Sequence, residues 1–305
     1  AIIIMKRRNM NSYKDLNEAF VQSLSEVKEN HSLVNSRGTL QREILWHSLE
    51  IRDPTALSIQ VPARRFKPSY AITEWFWYLS EDRNVKNIGK LANIWQRIAN
   101  GQNEVESNYG FWLHGLKNGK TQKNQWQWVI DELFQDRDTR RASLTINQSH
   151  HKGQNNADYP CTQYIPFFIR DNRLHLGVHM RSNDAVFGFC NDVFTFCMYQ
   201  QMMLNELNAL IEEEPGKEKI ELGHYFHSAG SFHVYETHFS MMDKILDNYA
   251  KKYEDKDYPE LKKYKLRDNI TLEYLRKCVG TLPRTDMSKE EIELWTNKKM
   301  EEIYA

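Results

Sequence analysis

The stretch Met180-Arg181-Ser182-Asn183-Asp184-Ala185-Val186-Phe187-Gly188-Phe189-Cys190-Asn191-Asp192 decides how this chain is interpreted. Before it, residues 174–180 alternate apolar and polar side chains, which is the period of a strand with one apolar face. After it, residues 193–211 have the length and apolar content of a helix. The stretch therefore predicts a strand-to-helix junction that carries charged side chains.

Further elements flank this junction on both sides. Strands are predicted at residues 142–146 and 164–169, with a turn at Asp171-Asn172. Helical spacing of apolar residues predicts helices over 13–29, 70–80, 123–134 and 236–249. Ser288 and Glu291 have capping-box spacing and open a terminal helix. Since no repeat or long linker divides the chain, we expect one α+β domain over residues 1–305.

The composition excludes several classes of protein. The 305 residues are 40% hydrophobic and 12% aromatic, enough for a sizeable core. The formal net charge of zero disfavours a protein that coats nucleic acid. No apolar run reaches the ~18–20 residues that cross a bilayer. The opening residues 1–8 place their charges after a short apolar run, the reverse of a secretory signal, and we expect a cytoplasmic protein.

Cys161 is one of four cysteines, and taken alone such a residue is usually an inert part of a core. The chain lacks the second cysteine of a zinc-deaminase P-C-x-x-C motif and has no H-x-E sequence. A cysteine-protease interpretation needs a partner His and Asn that the sequence does not place. The histidines 224, 227, 233 and 238 are irregularly spaced, with no cysteine among them, so no metal is expected.

The residues around Cys161 form an ordered set that resembles the thymidylate synthase superfamily. The set comprises Arg140-Arg141, Cys161, the stretch quoted above and Ser231-Phe232-His233-Val234-Tyr235. Within that superfamily the stretch looks most like the deoxycytidylate hydroxymethylases of bacteriophages. The match extends to Ile94-Trp95, Asn108-Tyr109-Gly110 and Tyr304-Ala305. The resemblance implies a mixed β-sheet covered by helices, with the sheets of two subunits packed back to back in a homodimer.

The resemblance also implies a reaction. The Cys161 thiolate adds to C6 of a pyrimidine, and C5 then takes a one-carbon unit from 5,10-methylenetetrahydrofolate. Water adds to the resulting exocyclic methylene, which gives 5-hydroxymethyl-dCMP. Glu74 would shuttle protons and activate the water, and Tyr109 would order water near the nucleophile. Independently, the aromatic neighbours of Glu74 in the sequence predict a raised carboxyl pKa.

By the same resemblance, the nucleotide phosphate is held by arginines, with a hydroxyl from Ser182. The arginines are Arg37, Arg181 and the pair Arg140 and Arg141, and the family donates that pair to the site of the other subunit. Without the pattern, the pair would be a solvated turn. Arginines clustered around a bound phosphate are also expected to lower the pKa of Cys161.

The sugar and folate positions follow likewise. His233 and Tyr235 lie two apart, so they face one side of a strand, and in the family such a pair binds the 3′-hydroxyl. Asp184 resembles the residue that holds the pterin. The folate slot would be lined by Ile94, Trp95, Phe187 and Gly188, positions that are otherwise typical of a core.

Asp192 is expected to choose the base. Thymidylate synthases carry an asparagine at this spacing from the arginine, which reads the uracil edge. Cytosine presents the inverse pattern of donor and acceptor, and a carboxyl group fits it. Two alternatives stay open: Asp192 caps the following helix, or Asn191 reads uracil with the register displaced by one.

Four other functions remain open at this point. Three are enzymes: a thymidylate synthase, a deoxyuridylate hydroxymethylase, or a cytidylate hydroxymethylase that acts on the ribonucleotide. Thr162 stands where thymidylate synthases have a histidine, which disfavours methylation. The fourth is a catalytically silent nucleotide-binding scaffold, and the presence of both Cys161 and Glu74 argues against it.

Overall fold

The computed structural model describes residues 10–153, 157–253 and 261–305, so the expectation for residues 1–8 lies outside the described part. The strands are β1 (Asn11–Tyr13), β2 (Ser32–Ser36), β3 (Thr39–Ile51), β4 (Ser143–Thr145), β5 (Thr162–Arg170), β6 (Arg173–Asp184) and β7 (Glu221–Tyr235). The helices are α1 (Leu16–Asn30), α2 (Pro68–Ser80), α3 (Ile88–Leu91), α4 (Asn93–Ile98), α5 (Gln125–Gln135), α6 (Gly188–Glu212), α7 (Phe239–Tyr253), α8 (Leu272–Tyr274) and α9 (Lys289–Ile303). None of the helices in these ranges is long and apolar enough to span a membrane.

The strands form one seven-stranded mixed sheet in the order β1-β3-β7-β6-β5-β4, with β2 paired to β3. The β6–β7 pair is parallel, and β5 and β3 run antiparallel to their inner neighbours. The α+β class and the predicted strands in the middle third are confirmed. The long strand β3 and most of β7 were not predicted from the sequence.

The helices cover one face of the sheet. The buried apolar cluster extends along the chain from Leu16 to Ile303 and includes most of α6. The opposite face leaves large apolar side chains in solvent: Leu45 is 67% exposed, Trp46 71% and Tyr164 42%. The sheet therefore has one packed face and one open apolar face.

Parallel pairing of β6 and β7 brings their carboxyl ends together, because Ser182 pairs with Ser231 and Asp184 with His233. A β-carbon on Gly230 would lie 3.1 Å from the carbonyl oxygen of Arg181, so glycine allows this close approach. The expected site residues of both strands therefore meet at one edge of the sheet.

Candidate active site

Cys161 and Arg181 are held together at the start of β5 and near the end of β6. The Arg181 backbone N–H donates to the carbonyl of Cys161 at 2.8 Å, and the guanidinium Nη2 lies 3.8 Å from Cys161 Sγ. That guanidinium also donates to the carbonyls of Tyr159 at 2.7 Å and Pro160 at 3.2 Å. The chain just before Cys161 thus fixes the guanidinium of Arg181, which faces the Cys161 thiol.

Burial dominates the chemistry of the thiol. It raises the pKa of Cys161 to about 11, although the positive charges of Arg181 and Arg37 lower it. Asp192 and Asp158 add a further raising effect. The arginines therefore lower the pKa of Cys161 as expected, but burial raises it by more, so the net pKa is above that of a free thiol. The free protein holds Cys161 largely as a thiol at neutral pH.

Glu74 lies on α2 with a side chain that is only 5% exposed. Tyr70 donates to its Oε2 at 2.6 Å and Tyr78 donates to its Oε1 at 3.0 Å. Burial raises the pKa of Glu74 above its ordinary value, and these hydrogen bonds, with one from Trp95, oppose the rise. The structure agrees with the raised pKa expected from the aromatic sequence.

Asp192 does not cap a helix, because α6 begins at Gly188 and places Asp192 in its second turn. That alternative is wrong: Phe187 occupies the N-cap position. Asn183 donates to Asp192 Oδ2 at 2.9 Å. Burial raises the pKa of Asp192 well above its ordinary value, and the nearby Glu74 carboxylate adds to the rise.

A buried chain of hydrogen bonds orients Asn183. Its Oδ1 lies 2.8 Å from His227 Nε2, and His227 Nδ1 lies 2.9 Å from the Tyr225 hydroxyl. Burial lowers the pKa of His227 to about 3, so the ring is neutral. With the Asn183 amide donating to Asp192 as in the structure, the directions follow: Tyr225 donates to His227 Nδ1, Nε2–H donates to Asn183 Oδ1, and Asn183 donates to Asp192. Asp192 therefore accepts a hydrogen bond from a buried side chain of the core.

Tyr109 packs on α2 and lies near Cys161. Its ring stacks on Tyr78 at a centroid distance of 5.0 Å. Burial and the neighbouring charges of Cys161 and Asp192 raise the pKa of Tyr109 well above its ordinary value. A β-carbon on Gly110 would lie 1.7 Å from the carbonyl oxygen of Tyr78, so this segment can pack on α2 only with glycine there.

The expected phosphate ligands divide into two groups. Arg37 lies in the hairpin turn between β2 and β3, where its charge acts on both Cys161 and Tyr235. Ser182 follows Arg181 on β6. By contrast, both members of the Arg140-Arg141 pair are exposed. Arg141 lies 3.6 Å from Glu132 and stacks over Trp128 at 5.7 Å. Within one chain, the structure places Arg37, Arg181 and Ser182 near Cys161, while Arg141 faces α5.

His233 and Tyr235 share one side of β7, with ring centroids 4.9 Å apart, as expected from their spacing. Ser231 donates to the carboxylate of Glu43 on β3, and its Oγ lies 3.1 Å from His233 Nδ1. Because a carboxylate only accepts, the Ser231 proton goes to Glu43 and His233 Nδ1–H donates to Ser231. His233 Nε2 is then left as an acceptor, and burial keeps the ring neutral by lowering its pKa.

Asp184 organises the loop that opens α6. Its two carboxylate oxygens accept from the backbone N–H groups of Val186, Phe187 and Gly188 at 3.1–3.2 Å. A carboxylate has about four acceptor positions, so about one remains for a ligand. Arg64 supports the same loop by donating to the Phe187 carbonyl at 3.2 Å.

The expected folate wall is partly open. Ile94 is 45% exposed, whereas Trp95 is 8% exposed and packs edge-on against Trp77 at 4.7 Å. Phe187 and Gly188 are half-buried at the start of α6. A methyl group on Gly188 would lie 3.5 Å from Asp192 Oδ2, so the expected wall and Asp192 are neighbours.

The four histidines considered for a metal have other partners. His224 pairs with Glu50 at 2.5 Å, His227 and His233 take part in the chains above, and His238 packs on Phe187. Within residues 10–153, 157–253 and 261–305, one group has the spacing for a metal ion: Glu106, His150 and His151.

In that group, His151 and Glu106 already have hydrogen-bond partners in the protein. His151 Nδ1 lies 3.0 Å from the backbone N–H of Gln148, which requires an acceptor, so His151 Nε2 carries the proton and donates to Glu106 at 3.2 Å. Arg83 binds both oxygens of Glu106 at 3.1 Å. A metal would compete with both partners.

Several site residues were not predicted from the sequence: Tyr70, Tyr78, Asn183, His227, Glu43 and Ser231. A signal existed for the two tyrosines, because they lie four residues before and after Glu74 on one helical face. Asn183 stands inside the diagnostic stretch itself. Glu43 and His227 depend on the strand register, which the local pattern does not show.

Comparison with known proteins identifies a consistent set of relatives. The family model described as thymidylate synthase matches residues 19–274. The deoxycytidylate 5-hydroxymethyltransferases of Enterobacteria phages T4 and T2 are each 29% identical over 222 residues, covering 71% of this chain and 85% of theirs. The deoxyuridylate hydroxymethyltransferase of Bacillus phage SP01 is 24% identical over 250 residues, covering 77% of this chain and 61% of its own. Among solved structures, the thermostable thymidylate synthase A of Bacillus subtilis matches with a TM-score of 0.63 at 16% identity, covering 85% of this chain and 93% of that one.

Proposed function

Because this chain belongs to the thymidylate synthase family and is a one-carbon transferase, we propose that it is a deoxycytidylate 5-hydroxymethylase. In this proposal Cys161 is the nucleophile that adds to C6 of dCMP, and Glu74 transfers protons and activates the water that completes the hydroxymethyl group. The family uses 5,10-methylenetetrahydrofolate as co-substrate, which supplies the one-carbon unit. The deoxycytidylate enzymes of phages T4 and T2 support this substrate.

The environment of Asp192 is the observation that carries the choice of base. Cytosine offers an N4 amine donor beside an N3 acceptor. A carboxyl group whose pKa is raised can hold one proton, so it donates to N3 and accepts from the amine. An asparagine amide presents the pattern for uracil only when its carbonyl faces N3–H and its amine faces O4. The buried donor from Asn183 opposes rotation of Asp192 away from the base.

The folate positions fit the co-substrate. Asp184 retains about one acceptor position for a pterin N–H, beyond its three bonds to the backbone. Ile94 and Phe187 offer apolar surface that is partly accessible. We propose that Ile94, Trp95, Phe187 and Gly188 form the wall and that Asp184 accepts from the pterin.

The homodimer is also a proposal. The open face of the sheet carries Leu45, Trp46 and Tyr164 in solvent, and an apolar face of this kind is stabilised by a second copy packed against it. In such a dimer Arg140 and Arg141 would complete the phosphate site of the other subunit. We further propose that residues 1–305 are one domain, since one apolar cluster joins Leu16 to Ile303, and that the protein acts in the cytoplasm of a phage-infected host, since these hydroxymethyltransferase relatives are phage proteins.

The proposal is tested with dCMP labelled with tritium at C5 and methylenetetrahydrofolate. We expect release of the tritium and formation of 5-hydroxymethyl-dCMP. Oxidation of the folate to dihydrofolate would indicate a thymidylate synthase, and faster turnover of dUMP or CMP would indicate the corresponding hydroxymethylase. Inertness of all these nucleotides would support a silent scaffold.

Asp192→Asn tests the base reader. We expect the preference for dCMP over dUMP to fall by about a hundredfold or more, because buried groups matched to one base edge are left unpaired by the other. The matched control is Asn191→Ala at the neighbouring position. If that control changes the preference and Asp192→Asn does not, the register assigned here is wrong by one residue.

A further inference from the structure

Two side chains, Trp95 and Tyr70, connect the expected folate wall to Glu74. The indole Nε1–H of Trp95 donates to the Tyr70 hydroxyl at 3.0 Å, and Tyr70 donates to Glu74 Oε2 at 2.6 Å. Tyr78 approaches from the other side and donates to Oε1 at 3.0 Å. Tyr70 and Tyr78 lie one helical turn before and after Glu74, so α2 places both hydroxyl groups on its carboxylate.

The hydrogen bonds from Trp95 to Tyr70 to Glu74 have a fixed order of donors and acceptors. An indole N–H can only donate, so the Tyr70 oxygen accepts from Trp95 and the Tyr70 proton is directed to Glu74. Protonation of Glu74 on Oε2 would weaken this hydrogen bond, because a carboxylic acid oxygen is a poorer acceptor than a carboxylate oxygen. The Trp95–Tyr70 pair therefore favours the ionised carboxylate and opposes the effect of burial.

We propose that Tyr70 is a positioning residue that orients Glu74 for its proton transfers and transmits to it the position of the Trp95 indole. A folate bound against this wall thereby changes the orientation of the Glu74 carboxylate through Trp95 and Tyr70. This inference rests on the proposed function, because it needs Glu74 as the proton-transferring group. It assigns to Tyr70 a role that Tyr78 does not share, since the hydrogen bond from Trp95 reaches only Tyr70 of the two.

Other titratable groups surround Glu74, and the substitutions that test this inference must leave them unchanged. Asp192 approaches from α6, and its charge and that of Glu74 oppose each other. Tyr109 stacks on Tyr78, and Cys161 lies near Tyr109. None of these side chains is changed by a phenylalanine at position 70 or 95.

The test is a double-substitution cycle with Tyr70→Phe and Trp95→Phe, read by the pH profile of kcat at saturating folate. Tyr70→Phe removes a donor to the carboxylate, so the acid limb of the profile should move to higher pH and kcat should fall about tenfold or more. Trp95→Phe should move the acid limb in the same direction. In the Tyr70→Phe background, Trp95→Phe should move it by clearly less, because only the direct effect of Trp95 on Glu74 then remains.

Tyr78→Phe is the matched control, because it removes the other donor to Glu74 and leaves the Trp95–Tyr70 pair intact. In that background the shift from Trp95→Phe should persist in full. Additive shifts of Tyr70→Phe and Trp95→Phe, or an unmoved acid limb in Tyr70→Phe, would overturn the inference while the unsubstituted protein still turns over dCMP. An unsubstituted protein that releases no tritium from any pyrimidine nucleotide would overturn the proposed function, and this inference with it.

Discussion

At the scale of single residues, the Cys161 thiol is shielded more than it is activated. With a pKa raised to about 11 by burial, its thiolate fraction rises about tenfold with each pH unit through the neutral range. We therefore predict that iodoacetamide modifies Cys161 slowly at neutral pH and progressively faster up to about pH 11. Peptide mass spectrometry gives the rate at each pH, with the exposed Cys278 as an internal reference.

Arg181→Gln should slow this modification further, because it removes a positive charge that lowers the pKa of the thiol. Arg173→Gln is the matched control, since Arg173 lies on the same strand and pairs with Glu221. A Cys161 rate that levels off below pH 8 would contradict the dominance of burial.

The sequence predicted which side chains lie close together better than it predicted their protonation. Cys161, Glu74 and Asp192 have chemical neighbours close by in the chain or in the resemblance, so their places could be inferred. The net direction of the Cys161 pKa could not, because the burial of a thiol depends on segments that pack over it from distant parts of the chain. The hydrogen bonds that orient Asp192 likewise require the pairing of β6 with β7.

At the scale of elements, β3 and β7 together orient His233, which we propose as a ligand of the sugar. Glu43 pairs with His233 in the strand register, and Ser231 bridges the two side chains. This bridge leaves His233 Nε2 as an acceptor, which requires a donor such as the nucleotide 3′-hydroxyl. We predict that Glu43→Ala weakens the discrimination between dCMP and its 3′-deoxy analogue by about tenfold, measured as the ratio of the two kcat/KM values.

Glu43→Gln is the conservative counterpart, because its amide oxygen can still accept from Ser231. It should restore most of the discrimination. Equal loss in both variants, or a loss that affects dCMP and the 3′-deoxy analogue alike, would show that Glu43 supports the strand rather than the orientation of His233.

The failure to predict β3 from the sequence has a local cause. Its buried residues are Gln41, Ile44, His47, Leu49 and Ile51, so the alternation breaks in the middle of the strand. Trp46 has a positive φ of 55° at this break, and the two successive apolar side chains Leu45 and Trp46 are both exposed. A strand whose alternation of buried and exposed residues is interrupted in this way is not recognised from a period of two. Strand β6 has no positive φ among its residues, and its alternation was predicted correctly.

At the scale of the whole molecule, the expected phosphate site and the open sheet face are both incomplete within one chain. Arg140 and Arg141 are exposed and Arg141 faces Glu132, while the apolar face of the sheet lies open. A dimer formed through that face would supply both missing parts at once: a cover for the apolar side chains and two cations for the phosphate. Neither subunit would then hold a complete site alone.

This arrangement predicts complementation between two inactive proteins. Cys161→Ser removes the nucleophile, and the double substitution of Arg140 and Arg141 by Ala removes the donated cations, so each variant alone should be nearly inactive. After unfolding and refolding of an equal mixture, about half of the dimers are mixed and each has one intact site, which gives about a quarter of the unsubstituted activity. The control replaces the arginine double variant by Arg173→Ala, which should be active alone. If the mixture stays inactive, or if the arginine double variant keeps full activity, then Arg140 and Arg141 complete no site in the partner and the phosphate is held by Arg37 and Arg181 of one chain.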